Sequence, residues 1–123
     1  MSDIPACLFD YLEAWNEPDP ALVRPHLEKS CAADVLFVDP AHVTRGIAEL
    51  EAMIARARRD ERPTASYHRT TGVDGHNRRY RYLWEVRIDG TPVLPGMDVT
   101  TLNEEGQIVQ IDGFFGEFPA LDG

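Results

Sequence analysis

Between positions 79 and 88 the side chains alternate in kind with a period of two. Tyr80, Tyr82, Trp84, Val86 and Ile88 share one side; Arg79, Arg81, Glu85 and Arg87 share the other. Successive side chains of a strand point to opposite faces, so this segment reads as a strand dry on one face and wet on the other. Turn signals extend the pattern on either side. Asp74-Gly75, Asp89-Gly90 and the run from Asn103 to Gly106 all tolerate positive φ between alternating stretches, a strong short-range hairpin signal. They predict a four-stranded antiparallel meander over 64–73, 76–88, 92–102 and 107–116.

Upstream the period becomes helical. Ile4, Leu8, Tyr11, Leu12 and Trp15 fall on one face of a helix expected over 4–16, with Ser2 or Asp3 as cap and Pro5 in its first turn. Tyr11 therefore points inward. A second helix is expected from Asp19 as cap and Pro20 as first residue, burying Leu22, Val23 and Leu27, with Pro25 kinking or shortening it. Residues 34–39 read as a short strand stopped by Pro40, residues 41–46 as a loop, and residues 47–59 as a third helix. Ile47, Leu50, Met53, Ile54 and Ala57 form the apolar face of that helix. Helices, one strand, a helix and then a meander predict an α+β fold with helices packed on the concave face of a bent sheet.

A chain of 123 residues, 43% hydrophobic and 27% charged, suits one globular domain over 1–123. Its net charge of −9 argues against a broad nucleic-acid-binding face. The arginines gather between Arg56 and Arg87; such a cluster can mark an anionic ligand, but at strand spacing it reads first as a solvated sheet face. Cys7 and Cys31 suggest neither a disulfide framework nor a zinc site. His26, His42, His68 and His76 lack metal-ligand spacing, so no metal and no cofactor are expected. No signal-peptide pattern opens the sequence and no apolar run reaches membrane-spanning length, which predicts a cytoplasmic protein. A hollow fold of this size gains from pairing, so a homodimer is expected on the outer face of the meander, with Leu83 and Leu102 as candidate contacts.

Three stretches carry a resemblance. They are Tyr11-Leu-Glu-Ala-Trp15-Asn16, then Phe37-Val38-Asp39-Pro40 followed by Gly46 and a helix, then Gly96-Met97-Asp98-Val99 leading through Asn103 and Gly106 to Gly113-Phe-Phe-Gly116. Together they resemble SnoaL-like and ketosteroid isomerase-like domains of the NTF2-like superfamily over nearly the whole chain. That resemblance implies a cone-shaped, curved mixed or antiparallel sheet with three helices from the N-terminal half. It also implies a general base at Asp39, an oxyanion-holding tyrosine at Tyr11 and a protonated carboxylic acid at Asp98. A base that removes a proton beside a carbonyl needs two donors on the enolate oxygen, and a phenol with a neutral carboxyl supplies them. Without the resemblance, Tyr11 reads as a core tyrosine and Asp39 as a turn residue before Pro40. Asp98 is harder to explain in this way, since a mid-strand carboxylate facing inward is costly unless paired or neutral. A bulge at Pro95-Gly96 would reset its direction.

The expected ligand is a small hydrophobic molecule, such as a steroid, terpenoid or polyketide-like ketone, held by Trp15, Phe37, Met53, His68, Tyr82, Trp84, Phe114 and Phe115, with Leu12 beside them. Other activities of the fold fit less well. The SnoaL-type cyclases carry an acid–base aspartate where Gly113 stands and a histidine where Thr100 stands. The epoxide hydrolases need an arginine where Gly96 stands. Dehydratases use tyrosine–histidine pairs, whose types but not spacing occur in Tyr80, Tyr82, His68 and His76. A non-catalytic binding or association domain is the remaining alternative.

Overall fold

The computed structural model describes residues 4–122. Helix α1 (Ala6–Asn16) starts two residues later than expected, because Pro5 is extended at φ −56° and ψ 137°. A residue before proline is itself driven from the helical region, so Ile4 cannot begin the helix. Ser2 and Asp3 lie outside the described residues. The second helix divides into a 3₁₀ turn (Pro20–Leu22), capped by the Asp19 carboxylate on the Ala21 amide, and α2 (Val23–Ser30). Pro25 causes no kink. It is the third residue of α2, where the missing amide would have had no partner within the helix.

Strand β1 (Cys31–Val38) begins before its predicted start, and a bulge between Cys31 and Leu36 exposes Ala33 and Asp34. The segment expected as a loop contains a short strand, β2 (Val43–Arg45), which folds back antiparallel on the end of β1. Helix α3 (Ile47–Arg56) closes through a π turn (Ala57–Glu61). Five strands follow: β3 (Ala65–Arg69), β4 (Asp74–His76), β5 (Arg79–Ile88), β6 (Thr91–Leu102) and β7 (Ile108–Phe115). One turn was misread from the sequence. Asn77 and Arg78, with φ of 48° and 63°, make the β4–β5 turn, whereas Gly75 lies within β4 opposite Tyr80. A methyl at Gly75 would come 2.5 Å from the Tyr80 ring, so that glycine serves close packing. Asp89-Gly90 turns as expected, with φ of 51° and 80°.

The sheet runs β2-β1-β7-β6-β5-β3, with β4 also on β5, and the β1–β7 pair is parallel. It is therefore mixed, and the architecture is the NTF2-like α+β cone. Leu8, Leu27, Leu50, Ile54 and Ile111 are fully buried between the helices and the concave face. The register of β6 settles where Asp98 points. A shift opposite Val86/Arg87 skips Val93, and pairing with β5 then runs unbroken from Leu94 to Thr101. Gly96, Asp98, Thr100 and Leu102 thus share the buried face. Leu102 is core, not outer surface. The convex side instead aligns Leu83, Met97 and Phe114 across β5, β6 and β7, with Leu83 45% and Phe114 54% exposed.

Two side chains tie α1 across the sheet. The Asn16 amide donates to the Tyr67 carbonyl at 2.8 Å and its oxygen accepts from the Tyr67 amide at 2.8 Å. The Arg58 guanidinium bonds the carbonyls of Trp15 and Ala65. No helix among the described residues is long and apolar enough to cross a membrane.

Gly96 lies against the face of Trp84, where a methyl would fall 2.1 Å from the ring, while nothing lies within 4 Å of Gly72. Gly96→Ala is expected to lower stability in urea unfolding by about 1–3 kcal/mol through overpacking, and Gly72→Ala to change it by less than about 0.5 kcal/mol.

Candidate functional site

Helix α1 and the concave face of the sheet enclose a chamber of about 80 Å³. Leu8, Tyr11, Leu12 and Trp15 form its helical wall, and Phe37, Tyr82, Trp84, Val86 and Phe115 its sheet wall. Polar groups are fewer: the carboxylates Asp39 and Asp98 and the ring of His42 at one side, Arg62 and Arg69 also on the lining. Apolar walls with a few convergent polar groups are the ordinary form of a small-molecule site.

Asp98 is 8% exposed, in the middle of β6. The Trp84 indole donates to its Oδ1 at 2.9 Å and the Tyr82 hydroxyl to its Oδ2 at 3.3 Å. Burial pushes its pKa from 3.8 up to about 7. Those two donors pull it down, while the charges of Asp39 and Asp112 push it up. Desolvation outweighs hydrogen bonding, so the carboxyl holds its proton into the neutral range. Thr100, two residues on, is buried, and its hydroxyl lies 3.4 Å from that of Tyr82.

Asp39 follows the last residue of β1. Its Oδ1 accepts from the amides of Ala41 and His42, both at 2.8 Å, and faces the His42 Nδ1 at 3.0 Å. One oxygen thus shapes the loop, as the turn reading anticipated, and the other lies 3.3 Å from the His42 ring. Strand β7 runs between β1 and β6, with Gly113 opposite Asp98 and next to Asp112, the partner of Val38. A Cβ on Gly113 would meet Asp98 Oδ1 at 3.1 Å and Asp39 Cβ at 3.3 Å. The bare glycine therefore leaves the gap between the two carboxylates open. Asp112 faces away, held by Gln110.

The Tyr11 hydroxyl accepts from the Trp15 indole, one helical turn on, at 2.9 Å. It donates to no described protein group, so its proton is left for the chamber. Burial first, then the nearby Asp98 and Tyr82, hold its pKa well above the usual tyrosine range. The Tyr11 hydroxyl therefore keeps its proton at neutral pH.

Tyr11, Asp39 and Asp98 thus border one chamber, as do Trp15, Phe37, His68, Tyr82, Trp84 and Phe115. Met53 and Phe114 do not. Met53 is buried on the inner face of α3, in the core, and Phe114 points out from the convex face because β7 alternates with Gly113 inward. His68 lies opposite Glu85 on β5, and its ring is bonded to the Ser66 hydroxyl at 2.7 Å. His26 pairs with Glu17 and His76 with Asn77, both away from the chamber. Sequence reading passed over Tyr67, Arg69 and Arg62 as lining residues. The period of two within β3 would have paired Tyr67 and Arg69 on one face.

A family model for the SnoaL-like domain matches residues 8–111. Among solved structures, a candidate isomerase of the SnoaL-like family from Agrobacterium tumefaciens is 33% identical, with 90% of this chain and 95% of that one covered and a TM-score of 0.85. A candidate polyketide cyclase from Sinorhizobium meliloti shares the fold at 16% identity, covering 90% of this chain and 95% of that one, TM-score 0.70. So does a protein of ketosteroid isomerase-like fold from Catenulispora acidiphila, in complex with trimethylamine, at 17% identity, 97% and 88% coverage and TM-score 0.67. A search of curated proteins gave no significant match.

The raised pKa of Asp98 makes stability depend on pH. Native protein keeps a proton that the unfolded chain releases between 3.8 and about 7. The stability it contributes is full below the unfolded value, falls as the pH climbs to about 7, and is flat beyond. Three pKa units correspond to a loss on the order of 4 kcal/mol. Asp98→Asn should not share that loss, so urea unfolding curves of variant and parent are expected to diverge in the variant's favour as pH rises. Parallel curves would show that Asp98 is not held neutral.

Proposed function

The chain belongs to the SnoaL-like domain family, and from that premise we propose that it is an isomerase of the ketosteroid isomerase-like kind, moving a proton between carbons beside a carbonyl in a small apolar substrate. What carries this reading is Asp39 and Asp98 facing one another across the side-chain-less Gly113, in a chamber that also receives the unclaimed proton of Tyr11.

The roles follow from what each group has free. Asp39 spends Oδ1 on the loop amides, and Oδ2, which among the described residues meets only the His42 ring at 3.3 Å, is the oxygen to take a proton from carbon. As that proton leaves, negative charge develops on the carbonyl oxygen. Tyr11 and protonated Asp98 donate to it, and in a dry site such preorganised donors act without solvent reorganisation. Trp84 and Tyr82 hold the Asp98 carboxyl in place while desolvation keeps its proton on. Asp39 then returns its proton to the second carbon, so the enolate collapses and no net charge or atom is gained.

The three donors on Asp39 Oδ1 favour a second reading, in which Asp39 only shapes the loop and Asp98, with a pKa of about 7, is itself the base. The pH profile separates the two. An oxyanion donor must be protonated, so kcat/KM should fall above pH about 7; a base must be ionised, so kcat/KM should rise toward it.

Conversion of short β,γ-unsaturated ketones to their α,β-isomers, followed by ultraviolet absorbance, is the direct assay. Asp39→Asn is expected to lower turnover about 10²–10⁴-fold with ligand affinity nearly unchanged. Absence of turnover across the panel, with binding intact, favours a non-catalytic binding domain. We further propose that two copies pair through the convex patch of Leu83, Met97 and Phe114. Sedimentation should then give a dimer for the parent chain and a monomer for Phe114→Glu.

A further inference from the structure

Among the described residues, neither arginine of the chamber lining, Arg62 or Arg69, forms an ion pair. Arg69 ends β3 opposite Trp84, whose indole is bonded to Asp98, and it lines the chamber. Its Nη1 is buried and has no hydrogen-bond partner. The guanidinium lies 4.8 Å from the centroid of the Phe9 ring of α1, and its charge is felt at the Tyr82 hydroxyl, where it eases ionisation.

Acid is not scarce in this chain, which has 21 Asp and Glu against 12 Lys and Arg. Arg24, Arg59, Arg81 and Arg87 all have carboxylate partners, on Glu51, Asp60, Asp74 and Glu85 respectively. Arg58 is taken up by two backbone carbonyls. Among the described residues Arg69 has neither kind of partner, and Arg62, the other arginine of the lining, forms no side-chain hydrogen bond or ion pair. A buried guanidinium N–H without an acceptor is costly, so such a group is kept where something else completes it.

We infer that Arg69, with Arg62 beside the same chamber, binds a carboxylate of the substrate, so that the ligand is a small oxo acid rather than a neutral ketone. The inference rests on the chamber being the ligand site, as proposed above. Guanidinium geometry matches a planar carboxylate with two parallel N–H donors. The opposite polar group of the chamber is an acidic pair, which favours the carbonyl end of a singly charged molecule and disfavours a second negative charge there. An oxo acid with its carboxylate on Arg69 therefore lies along the Tyr82–Trp84 wall, its carbonyl directed to Tyr11 and Asp98.

Trp15 and Trp84 border the chamber, so their fluorescence reports occupancy without any turnover. The probes are levulinate and its methyl ester, which share a carbon skeleton and differ in charge. The parent protein is expected to bind levulinate about tenfold or more tighter than the ester, equivalent to about 1.4 kcal/mol. Arg69→Met should abolish that preference while leaving ester affinity within about twofold, and Arg69→Lys should keep part of it. Equal affinities in the parent, a preference that survives in Arg69→Met, failure of both probes to bind, or equal competition by inorganic phosphate would each overturn the inference. Asp39→Asn should retain the charge preference. Loss of isomerisation with the preference intact therefore sinks only the proton-transfer proposal, and turnover of neutral ketones with no preference sinks only this one.

Discussion

Asp98 is a carboxyl group kept out of water beside a second carboxylate, and the site is organised around the cost of that placement. Burial opposes its ionisation, the indole of Trp84 and the phenol of Tyr82 favour it, and Asp39 opposes it again. The balance falls near neutrality, where either protonation state is accessible. Neighbouring features follow from satisfying this group. Gly96 is bare so that Trp84 can lie flat over the strand and reach Oδ1, and Gly113 is bare so that the two acids have space between them. Both glycines have a negative or extended φ, so room, and not backbone freedom, is what they provide.

Those glycines also bear on which chemistries the site can host. A residue with a side chain at 96 would collide with Trp84, which removes the arginine that an epoxide hydrolase of this fold would need there. At 113 there is no side chain to supply the acid that a SnoaL-type cyclase would use. Bare at both positions, the chamber keeps the Trp84 ring against Gly96 and an acid on either side of Gly113.

Period and turn chemistry made most of the architecture legible. The alternation through Tyr80, Tyr82, Trp84 and Val86 is the real face division of β5, and the inward aspect of Tyr11 followed from helical spacing alone. The failures have particular causes. Asp74-Gly75 has the composition of a turn, but tertiary contact with Tyr80 claimed the glycine and the reversal moved to Asn77-Arg78. Strand β2 is three residues long and is held mainly by pairing, which leaves almost no local signal. Met53 and Phe114 were assigned to the ligand because they are apolar, yet the face of Phe114 depended on strand register, and the apolar face of α3 that carries Met53 packs into the core. The pairing of Asp98 with both an indole and a phenol is a cross-strand fact, since Tyr82 lies opposite it and Trp84 lies opposite Gly96. No linear pattern encodes that.

Asn16 fastens the end of α1 to β3, and that bond has a consequence for behaviour in crowded solution. Strand β3 is the last in the sheet order, and an outermost strand offers its spare amides and carbonyls to any passing chain. By occupying both backbone groups of Tyr67, the asparagine blunts this edge with a side chain that imitates another strand. The residue that steadies one wall of the chamber thereby also guards against strand-to-strand aggregation.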